Sequence, residues 1–469
     1  MIIKFKKLNA DITPETLGQI NCKKMILESA STDQMKGRFS IVAFDAVGKV
    51  NLYDDYLQIF INEDEQLVNE RPYESLEDFI NDMKIDEVPE ALTHLPFISG
   101  MIGYCSFDLI RYQNKLLKQI ELQSDIPDAS FNLVESVYVF DHFKEELFVM
   151  ASNLFSHNTE AQVEQVLNNM IETLKDISLF QNKIDHTSRG ELETNISEED
   201  FMQEVEYYKS LISKGDMFQV VPSRIYKYKH YFNEQHKDTL KLQIYKNLKR
   251  QNPSPYMYYI DDEERTIIGS SPESFIKKQG DVITTNPIAG TNKRGQTEEE
   301  DKQNEISLIT DEKELAEHRM LVDLGRNDLN MIAQTGSVYM PKLMTVERFE
   351  HVMHIVSIVE GKIRPEITPL QMITALLPAG TVSGAPKTRA ITRIYGSRKR
   401  KRGIYAGGVG YINCNHDLDF ALTIRTMVVD NEYVNVEAGC GVVYDSNPQK
   451  ELKETMIKAK SLLEVTPWY

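Results

Sequence analysis

Two pairs of acidic residues have the spacing to share a cation. In Thr310-Asp-Glu-Lys-Glu-Leu-Ala-Glu-His-Arg-Met-Leu-Val-Asp-Leu324, Asp311 stands where a helix N-cap would, and Glu314 three residues on completes a capping-box-like start. Glu314 and Glu317 then fall i, i+3 on one helical face. Asn447-Pro448 reads as a second helix start, Asn capping and Pro at the first helical position. The helix that follows again presents acids i, i+3, Glu451 and Glu454. Hard Mg²⁺ takes carboxylate oxygens, keeps several waters and is completed by an anionic substrate, so two helices with paired acids could clamp it. The competing readings are a solvated face for the first pair and an i, i+4 ion pair of Glu454 with Lys458 for the second.

Glycine-rich turns supply a second kind of chemistry, since backbone N–H groups converging at a turn bind anions. Such turns occur at Ala289-Gly-Thr291, Pro378-Ala-Gly-Thr-Val-Ser-Gly-Ala-Pro-Lys-Thr388, Tyr405-Ala-Gly-Gly-Val-Gly410 and Ala438-Gly-Cys-Gly441. None is a P-loop, because Ala385-Pro386 rather than glycine precedes Lys387. None is a dinucleotide fingerprint, because Gly439-Cys-Gly441 lacks the third glycine. His351 and His354 sit on a strand-like segment at an odd separation, so they face opposite ways and make a poor metal pair. His354 alone reads as a satisfied core histidine or a base. Cys440 has glycine neighbours but no partner in sequence to activate it as a nucleophile.

These residues need elements to carry them. Strand-like runs occur at Phe39-Ser-Ile-Val-Ala-Phe44, Val137-Tyr-Val-Phe140, Thr266-Ile-Ile-Gly269, His354-Ile-Val-Ser-Ile-Val359, Thr423-Ile-Arg-Thr-Met-Val-Val429 and Tyr433-Val-Asn-Val436, while Gln162 to Leu179 has helical spacing. A polar stretch, Lys183 to Asp200, separates an N-terminal region (1–180) from a larger C-terminal body (201–469), with 181–200 as linker. No repeat of 20–50 residues is present. The acidic run Thr297-Glu-Glu-Glu-Asp-Lys-Gln-Asn304 reads as a solvated loop. The basic run Ser397-Arg-Lys-Arg-Lys-Arg402 reads as an exposed turn, with a polyanion patch as the minority alternative.

The chain of 469 residues is 41% hydrophobic and 26% charged with a net charge of −18. That length suggests about two to four domains, and the composition gives an ordinary folded core and excludes disordered and collagen-like classes. The acidic balance disfavours nucleic acid and anionic membrane, which require clustered cations. Cys22, Cys105, Cys414 and Cys440 form no C-x-x-C pair, which fits a reducing compartment. Charges in Met1-Ile-Ile-Lys-Phe-Lys-Lys7 occupy the place of a signal peptide's apolar core, and no segment approaches the ~20 apolar residues of a membrane span. A cytoplasmic location is expected.

Taken in order, the motifs Gly215-Asp-Met-Phe-Gln-Val-Val-Pro-Ser223, Ser270-Ser-Pro-Glu-Ser274, Pro287-Ile-Ala-Gly-Thr291, Glu317 to Asp328, Val352-Met-His-Ile-Val356, Pro378-Ala-Gly-Thr381 and Gly439-Cys-Gly441 resemble the chorismate-utilising enzyme family, and within it the anthranilate synthase component I group. The resemblance implies an α+β fold of two packed, mainly antiparallel sheets flanked by helices, with the N-terminal region integrated into the catalytic body. It implies Mg²⁺ near Glu314, Glu317, Glu451 and Glu454, with Glu317 and Glu454 as direct ligands. Tyr405 and Arg425 would hold a carboxylate of chorismate, and Gly290, Thr291, Lys387, Gly439, Cys440 and Gly441 would complete the substrate pocket with Thr381. Glu273 occupies the family's general-acid position and His354 that of the residue handling the ring proton.

Two further positions bear on the nucleophile. Family members that add water place a lysine base where Gln219 stands, and those making a 4-amino product often place a lysine nucleophile where Ala289 stands. Neutral Gln219 and Ala289 therefore favour attack by ammonia at ring C2 and an anthranilate product. Leu27-Glu28-Ser29 and Asn252-Pro-Ser-Pro-Tyr-Met257 resemble the family's L-tryptophan inhibitor elements, implicating Glu28, Ser29, Pro255, Tyr256 and Met257. No cysteine-centred glutaminase segment is evident, and Tyr469 follows soon after the last motif. The resemblance thus implies a hetero-oligomer in which a separate glutamine amidotransferase subunit supplies ammonia. The rival readings are an aminodeoxychorismate synthase component I and a tryptophan-binding regulatory protein without activity.

Overall fold

The computed structural model describes residues 1–20, 22–29, 37–124, 126–177, 187–233, 236–262, 264–348 and 352–465. Two large sheets, of 11 and 12 strands, dominate the chain. Every ladder between named strands is antiparallel, as the sequence reading expects. The N-terminal and C-terminal regions meet inside both sheets. In the first, strand Lys24–Glu28 pairs with Tyr256–Asp262 in the register Leu27↔Tyr258. In the second, Gly100–Cys105 pairs with Gly408–Asn413.

The alternation of side chains along each strand sorts the core into layers. Met25, Ile41, Ile102, Val139, Tyr258 and Val409 pack between the sheets. Ile26, Val42, Tyr138, Tyr259 and Ile268 face the other way and meet helices Glu160–Lys175, Lys237–Gln251 and Pro448–Leu463. The outer face of the second sheet buries Phe131, Ile276 and Phe420 against helices that include Pro72–Asp82 and Pro369–Leu376. Both faces of the central strands are buried, which is why they read as continuous apolar runs rather than as alternating ones.

The cap signals produce the helices they announce. Asp311 Oδ1 accepts from Glu314 N at 3.1 Å at the start of helix Glu312–Ile332, and Asn447 Oδ1 accepts from Lys450 N at 3.1 Å before Pro448–Leu463. Two expectations are corrected. The acidic run beginning at Thr297 is helix Glu298–Thr310, with Thr297 Oγ1 accepting from Glu300 N at 3.2 Å; acids in a first turn favour the positive end of a helix. The segment from Thr423 becomes strand only at Thr426, because Arg425 takes a left-handed φ of 51°. Of the linker 181–200, residues 181–186 and their neighbours back to 178 lie outside the described residues. Its later part forms strand Glu193–Thr194, which pairs with Ser223–Lys229.

The basic run is exposed only at Ser397 and Lys399, and its other four residues turn inward. Arg398 pairs with Glu204 and Arg400 with Glu437. Lys401 and Arg402 are each only 6% exposed. The Lys401 ammonium lies 2.7 Å from Asp128 and 2.8 Å from Asp54, and burial pushes the Asp128 carboxyl up to about 6 despite that cation. Lys401→Met leaves Asp128 buried with no cation at neutral pH, so it should lower stability by about 3–5 kcal/mol. Urea unfolding at pH 7 measures this, and an unchanged midpoint would show that the cluster contributes nothing.

Candidate active site

Glu273 ends the turn Ser271-Pro272-Glu273 between strands Arg265–Ser271 and Ser274–Gln279. The turn is pinned by Leu422, whose N–H donates to Glu273 O at 3.0 Å and whose carbonyl accepts from Ser271 Oγ at 2.6 Å. Thr381, on the short helix Gly380–Ser383, donates its hydroxyl to Glu273 Oε1 at 3.2 Å. Burial raises the Glu273 carboxyl to about 7, the Thr381 hydrogen bond opposing it. A carboxylic acid near neutrality can give up a proton at physiological pH. Gln219 reaches the same region on a two-residue ladder, Gln219↔Ala385 and Val220↔Gly384. It is 8% exposed, its Oε1 is buried without a partner, and its Nε2 lies where a Cβ on Gly441 would be, at 2.9 Å.

His354 lies on strand Val352–Lys362, whose odd residues Met353 and Ile355 pack beneath helices Glu298–Thr310 and Glu312–Ile332. On the same odd face His318, on the second helix, meets Ser357 at 2.7 Å. His354 is therefore turned to the opposite face. Its Nδ1 sits 3.2 Å from Gly290 O. A carbonyl only accepts, so the proton is on Nδ1 and the Nε2 lone pair is the basic one. Burial, seconded by Arg425, lowers the His354 pKa and keeps the ring neutral. Gly290 sits at a register shift in strand Ile288–Lys293 with φ of 72°, and a Cβ there would meet Glu314 Oε2 at 3.2 Å. Glu314 and His354 thus share one bulge. Thr291 pairs with His354 through its backbone, while its side chain, like all of His351, lies outside the described residues.

The third group surrounds the Gly439–Gly441 turn. A Cβ on Gly439 would meet Tyr405 Oη at 2.9 Å, so only glycine lets that hydroxyl approach. Lys458 Nζ donates to Gly439 O at 3.0 Å and to Glu454 Oε1 at 2.5 Å, so the i, i+4 pairing read from the sequence does form. Burial raises the Glu451 carboxyl and the Cys440 thiol, which lie together, and so speaks against thiolate chemistry. Arg425 donates to Ser461 Oγ at 3.2 Å. Burial lowers its pKa, and Tyr405 and Glu454 counter that. It also bears on His354. This partly buried guanidinium therefore ties the His354 group to the Gly439 group and offers its remaining donors to an anion.

One expected substrate ligand is engaged elsewhere. The Lys387 ammonium binds Asp328 Oδ1 and Leu376 O, both at 3.0 Å. Glu317 is exposed and Glu314 half-buried. Among the described residues no three His, Cys, Asp or Glu side chains converge to hold a metal by themselves.

A cavity of about 760 Å³ lies between the two sheets, next to this cleft but distinct from it. Leu27, Ser29, Pro255 and Tyr256 line it, with Tyr411, Ser274 and Lys277. Tyr256 Oη donates to Asp419 Oδ1 at 3.0 Å. Glu28 and Met257 also border it, but their side chains belong to the outer layer. Glu28 is taken by Tyr245 and by Lys249 at 2.8 Å, and Met257 packs with Tyr245 and Tyr259. The far wall, Lys277, Asp419 and Tyr411, was not singled out from the sequence. Its only signal there is alternation along strands of the second sheet.

The profile of the chorismate binding enzyme family matches residues 25–464. Anthranilate synthase component 1 of Lactococcus lactis subsp. lactis is 40% identical over 465 residues, covering 98% of this chain and 99% of that protein. The protein of the same name from Saccharolobus solfataricus is 37% identical over 437 residues, 93% of this chain and 92% of its own. Among solved structures, anthranilate synthase component I from Streptococcus pneumoniae TIGR4 aligns with a TM-score of 0.80 at 40% identity, covering 91% of this chain and 92% of that one. MenF, the menaquinone-specific isochorismate synthase of Escherichia coli, shares the fold at a TM-score of 0.72 and 16% identity, over 99% of this chain and 94% of its own. A family match that takes in both sheets and every element of the cleft, joined to relatives alike from end to end, shows that the chain belongs to the chorismate binding enzymes, in the anthranilate synthase component I group.

Proposed function

We propose that the chain converts chorismate and ammonia to anthranilate and pyruvate, with ammonia delivered by a glutamine amidotransferase subunit and L-tryptophan as feedback inhibitor. The observation that carries this reading is the half-buried Glu273 carboxyl, raised to about 7 and bound by the Thr381 hydroxyl, in a region where the buried Gln219 is neutral. Ammonia attacks ring C2 with its own lone pair, the ring double bonds shift, the C4 hydroxyl departs as water after taking the Glu273 proton, and the new C2 ammonium releases a proton to solvent. His354 Nε2 then accepts the C2 proton as the C3–O bond breaks, the ring becomes aromatic, and the enolpyruvyl group leaves as the pyruvate enolate, which takes a proton at its methylene carbon to give pyruvate. Arg425 and Tyr405 orient one substrate carboxylate. No side chain is needed to deprotonate the nucleophile, which agrees with Gln219 and Ala289 standing where amines would serve other chemistries.

The donor set suits Mg²⁺. Glu317 and Glu454, with Glu314 and Glu451 behind them, offer hard carboxylate oxygens. Mg²⁺ keeps several waters and is completed by substrate, so it needs no full cage of protein ligands. When bound, Mg²⁺ would neutralise a substrate carboxylate. The reading includes a cytoplasmic hetero-oligomer, in keeping with free cysteines and with no described helix long and apolar enough to cross a membrane.

The cavity supports the inhibitor assignment. Its lining includes Pro272 and Ser274, on either side of Glu273, and Val356 and Ile358, which follow His354 on the same strand face. A ligand that fills it presses on the supports of both catalytic groups.

Chorismate, Mg²⁺ and an ammonium salt should yield 2-aminobenzoate fluorescence, and a 4-amino product in its place would overturn the reading. Glu273→Gln should lower kcat by about 10²–10⁴-fold, and wild-type turnover by that variant would remove Glu273 from the acid role. At a fixed concentration of unprotonated ammonia, kcat should fall as pH rises through about 7, where Glu273 loses its proton. His354→Ala should accumulate the 2-amino intermediate that still carries the enolpyruvyl group, detectable by chromatography.

Ser29→Ala should weaken inhibition by tryptophan about tenfold, the loss of roughly one charge-assisted hydrogen bond. Its uninhibited kcat should stay at the wild-type value. Equal inhibition of variant and wild type would take Ser29 out of the inhibitor site.

A further inference from the structure

We propose that Arg402 is a positioning residue for the reaction, a buried guanidinium that holds Thr381 against Glu273 and Gln219 beside Gly441 from behind the cleft. The inference rests on the reading above and names a residue that the sequence motifs do not. Arg402 Nη1 donates to Val382 O at 2.9 Å and Nη2 to Val221 O at 2.7 Å. The first carbonyl follows Thr381 by one residue, and the second follows Gln219 by two. One planar fork therefore clamps the two segments that bring these side chains to the cleft.

Their ladder is only two residues long, extended by Val221 N donating to Ser383 O at 3.0 Å and Phe218 N to Ala385 O at 2.8 Å. Asp216, before it, pairs with Arg389 and Arg393 at the other end, so the Arg402 fork is the side-chain clamp at the Val221 end of so short a pairing. The charge of Arg402 also sets it apart from its neighbours. Arg398, Arg400 and Lys401 each find a carboxylate, in Glu204, Glu437 and Asp128. Arg402, as buried as Lys401, makes no ion pair among the described residues. Its guanidinium carbon lies 4.5 Å from the Phe107 ring centroid and 5.6 Å from that of Tyr405. The Tyr405 hydroxyl in turn lies against Gly439. The backbone is fixed as firmly: Arg402 N and Gly403 N donate to Asp108 at 3.2 and 2.7 Å, and Asp108 also accepts from Tyr395 Oη at 2.7 Å. A buried cation with no carboxylate in contact is costly, even though Glu204 feels its charge from further off. Here it is held rigidly with both donors aimed at the backbone of catalytic segments.

The variant to make is Arg402→Lys, which keeps the charge but not the fork. Its thermal unfolding should stay cooperative, while kcat falls on the order of 10²-fold, as misplacement of a reacting group costs, and KM for chorismate changes less than about threefold. A second readout isolates position from mere integrity. Thr381 is the group resolved as holding down the Glu273 pKa, with no charged side chain contributing among the described residues. Loss of its hydrogen bond should move the alkaline limb of kcat to higher pH, measured at a constant concentration of unprotonated ammonia. Arg402→Lys and Thr381→Val should each produce that move, and the double variant should go no further than either. A limb left at the wild-type pH in folded Arg402→Lys, or additive losses in the double variant, would overturn the positioning role. A wild-type chain that makes no fluorescent product would instead overturn the reading beneath it.

Discussion

The Ser271-Pro272-Glu273-Ser274 turn is the constraint on which the remainder of the site depends, because it must serve two spaces at once. Glu273 looks into the cleft and takes the Thr381 hydroxyl, while the residues on either side of it border the inter-sheet cavity. Strand Val352–Lys362 repeats the arrangement, with His354 at the cleft and Val356 and Ile358 at the cavity. The fold enforces this, since both spaces are bounded by the same antiparallel strands of the second sheet. A change in the cavity there falls on the segments that carry Glu273 and His354.

A chain with a net charge of −18 nevertheless keeps its cations where they do most. Lys401, Arg402 and Arg425 are drawn behind or into the cleft. Two of the three meet neutral partners, carbonyls and a hydroxyl, rather than carboxylates. Neutral partners in contact leave the positive field of a guanidinium only partly offset, by the more distant Glu454 for Arg425 and Glu204 for Arg402, and a poorly solvated region screens what remains less than water would. The acids that remain around the cleft are partly committed as well, Glu454 to Lys458 and Glu451 to the vicinity of Cys440.

Much of this was legible in the sequence, and the parts that were not share a cause. The capped helices at Asp311 and Asn447 follow from local side-chain chemistry, and the outward or inward facing of His354 follows from a period of two. The basic run was misread because its partners, Asp54, Asp128, Glu204 and Glu437, come from remote segments, and a cluster of cations is solvated only if nothing distant neutralises it. The acid that Lys387 meets, Asp328, is likewise remote in sequence. Thr297 is different. The N-cap and the acids after it were local signals for a helix, and their polarity obscured them. Arg425 broke an apparent strand by adopting a left-handed backbone, a conformation β-propensity argues against and a functional position tolerates. Arg402 escaped notice because its partners are backbone carbonyls, which no side-chain pattern encodes.

Two underused polar groups at the cleft share a meaning. Among the described residues Gln219 Oε1 is buried without a donor, and the Arg425 guanidinium has a single hydrogen bond, to a hydroxyl. Each such group costs about 1–3 kcal/mol of stability when left unpaired. A protein selected for stability alone would remove them, by an apolar residue at the first and a carboxylate at the second. Their persistence is explained if the partners they lack arrive with the ligand. Polar groups fixed in advance by surrounding structure need no reorganisation when charge develops beside them, which is where electrostatic catalysis gains most. The rigidity around them, from the Leu422 bonds that pin the Glu273 turn to the Asp108 bonds behind Arg402, is what keeps these groups from collapsing onto one another in the meantime.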